Sequence, residues 1–391
     1  MPLVSSRLRV PARHRAAILT AIREYGPISR ADLSRVLSLR PSSITSQARD
    51  LLAQGLIDEV GPGNSSTGRP PVLLDIARRD NYAVGIVLEP NGISAALVQW
   101  DGAIVCRSPI VPVRPNVPAV DLEQQAIEAA ERVLCEGGVL RERVHGIGVG
   151  VSALVDTSAN EAVFSSTFSQ VRRFRFDALA ESTGRPVYLE DIAYLMALGE
   201  RWFVYPNDRR PLVFLLVSRG TCGAVLAPAG APELPRFAAE FGHMVVSPNG
   251  PLCGCGKRGC LEALLSESAL LGTAQRLLPA PSNGPLTLAS VAALAEAGNQ
   301  IAASIIETAG EFLGLALANI ASVFAPALIV VGGSVAEGWG RWLLPTGRAA
   351  AHDHLLDSLR DRVEVLPSRL GGDAALVGCA ARVMDAVFSR Q

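Results

Sequence analysis

Residues 240–262 read Glu240-Phe-Gly-His243-Met-Val-Val-Ser-Pro-Asn-Gly-Pro-Leu-Cys253-Gly-Cys255-Gly-Lys-Arg-Gly-Cys260-Leu-Glu262, placing one His, three Cys and two Glu in a glycine-rich turn. A tetrahedral Zn²⁺ site made of one imidazole and three thiolates needs those donors within one short segment. Here they fall at His243, Cys253, Cys255 and Cys260. The intervening glycines let the backbone fold tightly around a small ion. The segment therefore predicts a closed structural zinc site. Buried free thiols or a disulfide are the alternatives for the same residues. Cysteine usage argues against the disulfide, because Cys106, Cys135, Cys222 and Cys379 are scattered and no signal peptide is recognisable.

Outward from that segment, 391 residues suggest two or three structural units, each with an ample core. Apolar residues make up 49% of the chain and aromatics only 5%, which suits α/β layers rich in Ala, Val and Leu. No apolar run approaches membrane-spanning length, so a soluble cytoplasmic protein with no membrane partner is expected. The net charge is only −1, but it is unevenly spread. Residues 1–79 hold twelve Arg against six Asp and Glu, a net of +6, which leaves −7 for the remainder. A basic head on an acidic body is the asymmetry expected if only the head meets DNA.

Residues 13–60 carry three short helical patterns. The first places Ala17, Ile18, Ala21, Ile22 and Tyr25 on one face and stops at Gly26-Pro27. The second opens with capping-box spacing at Ser29-Arg30-Ala31-Asp32 and buries Leu33, Val36 and Leu37. The third has Pro41 near its first position and Ile44, Ala48, Leu51 and Leu52 on one stripe. The opposite stripe carries Ser42, Ser43, Ser46 and Arg49, flanked by Thr45. A short polar face after a tight turn is what a helix entering the DNA major groove requires. Two short strands follow at 56–60 and 72–74, around a Gly/Ser/Asn-rich tip ending in Gly68-Arg69-Pro70. They make a wing whose Arg69 reaches a minor groove or a phosphate. A three-helix module docking on another protein is the alternative.

Beyond residue 80, apolar runs alternate with helical stretches, the signature of α/β layering. Strands are predicted near 82–88, 93–100, 144–149, 187–189, 212–217 and 328–331, and helices near 122–135, 193–203, 261–278 and 301–324. The Pro-rich stretch 109–118 reads as a surface crossing. Gly332-Gly333-Ser334 between a strand and a helix invites a phosphate-cradle reading, though such glycine pairs are commonly plain turns.

The winged head, the Glu240-Phe-Gly-His243 motif and the Cys253-Gly-Cys255-Gly-Lys-Arg-Gly-Cys260-Leu-Glu262 motif together resemble the ROK family of repressors and sugar kinases. The head resembles its NagC/XylR-type regulators, and the likeness spans nearly the whole chain. It implies an α/β chain with a winged helix-turn-helix domain at 1–79. Residues 80–391 are then a two-lobed actin-like (ribonuclease H-like) body with a sugar cleft between the lobes. It further implies that Glu240, His243 and Glu262 bind sugar, with one ring nitrogen of His243 on zinc and the other toward a hydroxyl. A helix-start carboxylate is the alternative for Glu262.

Family kinases carry a first-strand Asp, then Gly-Gly-Thr-Lys; counting back from Asp101-Gly102, those positions here are Val87, Glu89, Pro90, Asn91 and Gly92. Glu89 repels a triphosphate and Pro90 stiffens the turn. The Asn-Asp pair holding the kinase base corresponds, without gaps, to Asp191 and Ile192, and an Ile takes no proton. A compensating shift would restore Asp191 to the catalytic place. The second phosphate turn is eroded to Arg219-Gly220-Thr221-Cys222-Gly223.

No catalysis is therefore expected, while Asp191 remains a candidate hydrogen-bonding partner for sugar. The implied protein is a transcriptional regulator of carbohydrate metabolism genes, a repressor by preference. It binds operator DNA as a homodimer or homotetramer and responds to a sugar or sugar-derivative effector. An ATP-dependent sugar kinase with an appended DNA-binding head is the rival. A third reading keeps DNA binding but leaves the sugar pocket vestigial. Arg172, Arg173 and Arg175 read as a solvated run, with a sugar-phosphate contact as the alternative.

Overall fold

The computed structural model describes residues 9–63, 70–89, 91–113, 118–165, 168, 171–227, 238–279 and 284–389. Arg69, Pro90 and residues 114–117 of the Pro-rich crossing lie outside them. Two compact units emerge: 1–195 with 201–208 and 375–391, and 196–200 with 209–374.

The first unit opens with α1 (Arg9–Tyr25), β1 (Ile28–Ser29), α2 (Arg30–Leu37), α3 (Pro41–Ala53), β2 (Ile57–Pro62) and β3 (Val72–Ile76). Ile18, Leu19 and Ile22 of α1, Leu33 of α2 and Ile44, Ala48 and Leu51 of α3 form its core. The Ser29 hydroxyl oxygen accepts the Asp32 N–H at 3.1 Å and donates to the Asp32 carboxylate at 2.7 Å. This caps α2 through a side-chain pair and not through the full reciprocal box. Proline at the first turn starts α3, where its missing N–H costs nothing. The wing forms as expected, with strand order β1-β3-β2. Two predicted core positions turn outward: Val36 is 47% exposed and Tyr25 46%. At eight residues, α2 is too short to bury more than its Leu33 stripe.

The rest of this unit contains β4 (Tyr82–Glu89), β5 (Gly92–Gln99), β6 (Ile104–Arg107), α4 (Ala119–Glu136) and β7 (Val144–Val151). After them come β8 (Leu154–Asp156), β9 (Glu161–Phe164), β10 (Arg172–Phe174), α5 (Asp177–Thr183) and β11 (Val187–Asp191). Helix α6 (Ile192–Gly199) then passes into a π-helical turn at Glu200–Val204. The main sheet has the order β11-β7-β4-β5-β6. Helix α4 lays Leu122, Ala126, Ala130 and Val133 against it. The small sheet β8-β9-β10 was not visible in the sequence.

The second unit holds β12 (Leu212–Val217), β13 (Thr221–Leu226), β14 (Ala238–Ala239), α7 (Glu262–Leu265), α8 (Glu267–Leu277), α9 (Leu288–Glu296), α10 (Gln300–Phe324) and β15 (Leu328–Gly332). Next are α11 (Ser334–His354), α12 (Asp357–Arg360) and β16 (Glu364–Pro367), before α13 (Ala374–Ser389) leads back to the first unit. Its sheet order is β14-β13-β12-β15-β16. Both main sheets share one plan: three antiparallel strands, then two parallel strands added beside the first. That repeated ribonuclease H-like order is the actin-like body the sequence implied.

Two expectations need correction. The single helix predicted over 261–278 breaks at Ser266, whose extended backbone and hydroxyl cap α8 by accepting the Ala269 N–H at 3.3 Å. Helix α10 is, by length and composition, apolar enough to cross a membrane. Its Ile305, Ala309, Leu313, Leu317 and Ile320 instead pack into the core of the second unit with Trp339 and Leu343 of α11. Such a length of apolar sequence is here a core helix.

Candidate metal centre and nucleic-acid interface

The segment after β14 is built by its own backbone. Val246 and Ser247 donate to the Gly259 carbonyl, Cys253 N–H to Lys257, Gly259 N–H to Pro251, and Leu261 N–H to Met244, over 2.7–3.2 Å. Gly259 has φ +73°, the left-handed region an L side chain rarely adopts, and a Cβ there would strike the Ser247 carbonyl. Phe241 anchors the start, buried and edge-on to Phe324 at 5.8 Å.

This folding gathers all four predicted ligands. Their donor atoms lie within 4.8 Å of one another, with His243 Nδ1 3.8 Å from Cys253 Sγ and Cys255 Sγ 3.7 Å from Cys260 Sγ. A disulfide needs about 2.05 Å between sulfurs, so Cys255 and Cys260 are not bonded. A tetrahedron with Zn–S near 2.3 Å has ligand separations of about 3.8 Å, which these distances match. Burial pushes the Cys260 thiol up to about 11, while the Lys257 backbone N–H draws Cys255 below its usual range. These four donors could hold a metal ion, and a nitrogen with three sulfurs is a donor set that zinc takes in closed, structural form.

The other ring nitrogen of His243 faces Glu240, with Nε2 3.9 Å from Oε2. Glu262 starts α7, placed beside the 241–244 turn by the Leu261–Met244 hydrogen bond. Its Oε2 accepts the Thr221 N–H at 2.9 Å and does not cap its own helix. Glu240, His243 and Glu262 thus share the second unit, whereas Asp191 belongs to the first. Asp191 ends β11, is 9% exposed, and accepts the N–H groups of Ala193 (2.8 Å) and Tyr194 (3.2 Å), which caps α6.

The remaining phosphate-turn positions also have structural occupants. Val87 is buried in β4 between Ser94 and Gly150, and Ile192 is buried at the start of α6. At the start of α11, Ser334 Oγ donates to Glu267 Oε2 at 2.5 Å and lies 3.1 Å from Ser218 Oγ. Sequence reading missed Glu267, which puts a carboxylate beside the Gly332-Gly333-Ser334 turn. Arg172 lies over Phe164, Arg173 pairs with Glu161 and Arg175 with Asp177; all three arginines are exposed.

On α3, Ser42, Thr45, Ser46 and Arg49 are exposed and Ser43 half-buried, opposite the core stripe. Thr45 Oγ1 donates to the Pro41 carbonyl at 2.9 Å, so its hydroxyl is already engaged by the helix. Arg40, not singled out in the sequence, is exposed at the N-cap of the same helix.

Residues 85–386 match the model of the family described as ROK. The chain is 28% identical over 369 residues to a xylose repressor of Bacillus subtilis, covering 94% of each chain. Among solved structures, a ROK family transcriptional regulator described as a homologue of the Escherichia coli MLC protein superposes with a TM-score of 0.81 at 23% identity, over 96% of both chains. A ROK hexokinase from Thermus thermophilus superposes with a TM-score of 0.62 at 29% identity, over 78% of this chain and 99% of the other.

Proposed function

Because the chain belongs to the ROK family, we propose that it is a cytoplasmic, sugar-responsive transcriptional repressor with a catalytically inactive kinase-like body. The observation that carries this reading is the likeness to a xylose repressor along 94% of both chains. That span includes the head, whereas the hexokinase likeness covers 78% of this chain. We place the boundary between DNA-binding head and effector-binding body at 79/80.

In the head, α3 is the helix that enters the major groove. Ser42, Ser43, Thr45, Ser46 and Arg49 meet bases and phosphates, Arg40 adds a phosphate contact, and Arg69 on the wing reaches the minor groove or backbone. A homodimer, or a tetramer made from two, presents paired heads to a two-fold operator. In the body, Glu240, Glu262 and Asp191 accept hydrogen bonds from sugar hydroxyls, and the Nε2–H of His243 donates one. Zinc on His243, Cys253, Cys255 and Cys260 would hold the loop that carries Glu240 and His243, and would fix which imidazole nitrogen faces the sugar. Binding needs such placed hydrogen-bonding groups but no proton-abstracting base.

Loss of phosphoryl transfer is supported by Ile192 in the base position and Val87 in the first strand. It is supported also by Glu267 on Ser334, an anion beside the Gly332-Gly333-Ser334 turn where a nucleotide's phosphates would need donors. Sugar occupancy then acts by shifting the population between operator-binding and released forms.

Fluorescence anisotropy on a duplex selected by the protein from a random-sequence library tests this, with pentoses, hexoses and amino sugars added in turn. Release by one sugar class supports the repressor. The rival is a sugar kinase with a DNA-binding head, and ADP release over the same panel would establish it. DNA binding that no sugar changes leaves a regulator with a vestigial pocket.

A further inference from the structure

We propose that Asn81 and His145 form the joint that fixes the direction in which α3 projects from the body, an inference that rests on α3 being the DNA-reading helix. Asn81 is 1% exposed and stands between the wing strand β3 and the first body strand β4. Its Nδ2 donates to the carbonyl of Gly55, just past α3, at 2.8 Å and to that of Ala77, just past β3, at 2.7 Å. Its Oδ1 lies 2.6 Å from Nε2 of His145 in β7. A carboxamide oxygen only accepts, so the imidazole N–H donates. The Asn81 carbonyl accepts the Trp100 N–H at 3.0 Å. One buried residue therefore ties the recognition helix, the wing and two body strands together.

Around this residue the head and body meet twice more. Gly55 has φ +67°, and a Cβ there would come within 2.6 Å of Arg143 Nη1, so the body packs directly on the end of the recognition helix. His145 packs at a tilt against Trp100 (centroids 4.5 Å, 39° between planes), Trp100 meets Phe388 of α13 edge-on (5.8 Å), and Phe388 meets Trp202 (5.5 Å). The Arg23 guanidinium of α1 lies over that same Trp202 at 4.5 Å. The contacts thus leave the head beside α3 and return to it at α1.

Only residues 77–81 separate β3 from β4. A buried amide with three directional bonds has no equivalent second arrangement, because any rotation leaves a polar atom unpaired. The connection is a fixed joint, not a tether. Strand β7 starts at this joint and runs parallel to β11, where Asp191 pairs in register with Val151. A shift of β7 at its Asp191 end would be carried along the strand to His145, Asn81 and Gly55.

Half-site spacing reads the joint directly, because it reports how two heads are held and not how stable each is. Wild-type protein should select, from a random-sequence duplex library, paired half-sites at one spacing. His145→Ala should select the same half-site sequence over a spread of spacings. It should also bind the wild-type duplex about fivefold to tenfold more weakly, the equivalent of one lost hydrogen bond. His145→Gln, which keeps an N–H donor, should restore the single spacing. Asn81→Ala should repeat the His145→Ala result, with hydrogen exchange of α3 amides confirming that the head is folded. Selection of the wild-type spacing by both alanine variants overturns the inference, whether or not affinity falls, since weaker binding at one spacing marks lost stability alone. Failure of the wild-type protein to select any duplex would instead refute the DNA-binding reading beneath it.

Discussion

At His243 a metal ligand and a sugar contact are proposed for one imidazole, and the two nitrogens divide the work. With zinc on Nδ1, beside the Cys253 sulfur, the remaining ring proton would sit on Nε2, the nitrogen 3.9 Å from Glu240. Removing a sulfur should therefore disturb more than metal content. Cys260→Ser should lower zinc from one equivalent to below about a tenth by mass spectrometry, as expected when one of four ligands is lost. It should also weaken any sugar response, whereas Glu240→Gln should keep the metal and weaken only the response. Cys379 is a different kind of cysteine. Buried against the Ile86 carbonyl, its thiol is pushed up to about 12 by loss of solvation. At pH 8 roughly one in ten thousand such thiols is ionised. Cys379 should thus stay unlabelled by a disulfide reagent in the folded protein while exposed Cys135 reacts. The raised value also fixes a sign. Folding holds Cys379 neutral, so its contribution is intact below pH 9, the ordinary thiol value, and is lost as pH rises toward 12. Melting temperature followed across that window checks it.

Individual elements show where local sequence governs and where packing overrides it. Ser29 is 2% exposed and caps α2, so Ser29→Ala should cost about 1 kcal/mol and speed hydrogen exchange in α2 before the body sheets respond. On α3, Arg49→Ala should weaken DNA binding at every sequence and reduce the salt slope by about one unit if the side chain meets a phosphate. The strands at 82–89, 144–151 and 212–217 were legible because both faces are buried and the runs are mostly apolar. Strands β8–β10 were not, being three or four residues long with Leu154 and Phe164 exposed. The predicted helix over 261–278 ignored Ser266, a cap residue whose preference cut an apolar stretch in two. Val36 looked inward by composition, and only the short span of α2 set it outside.

Across the whole molecule the four sulfur and nitrogen donors were readable from a single loop, and the family from that loop together with the winged head, because their chemistry is local in sequence. The Glu267 carboxylate beside the Gly332-Gly333-Ser334 turn was not, because it reaches Ser334 only through the fold. If catalysis is lost as proposed, Ile192→Asp alone should show no ADP release above background with any sugar, since Ser334 stays engaged by Glu267. Measurable turnover would mean the nucleotide side is intact. One further consequence follows from α10, whose apolar face is covered by α11, with Gly310 against Thr346 and Gly314 against Ala350. During synthesis the ribosome releases residues 300–324 before 334–354, so a 25-residue apolar helix waits for the partner that covers this face. Chains arrested between the two should be caught by chaperones or precipitate, and heterologous yield should depend on how fast translation crosses that interval.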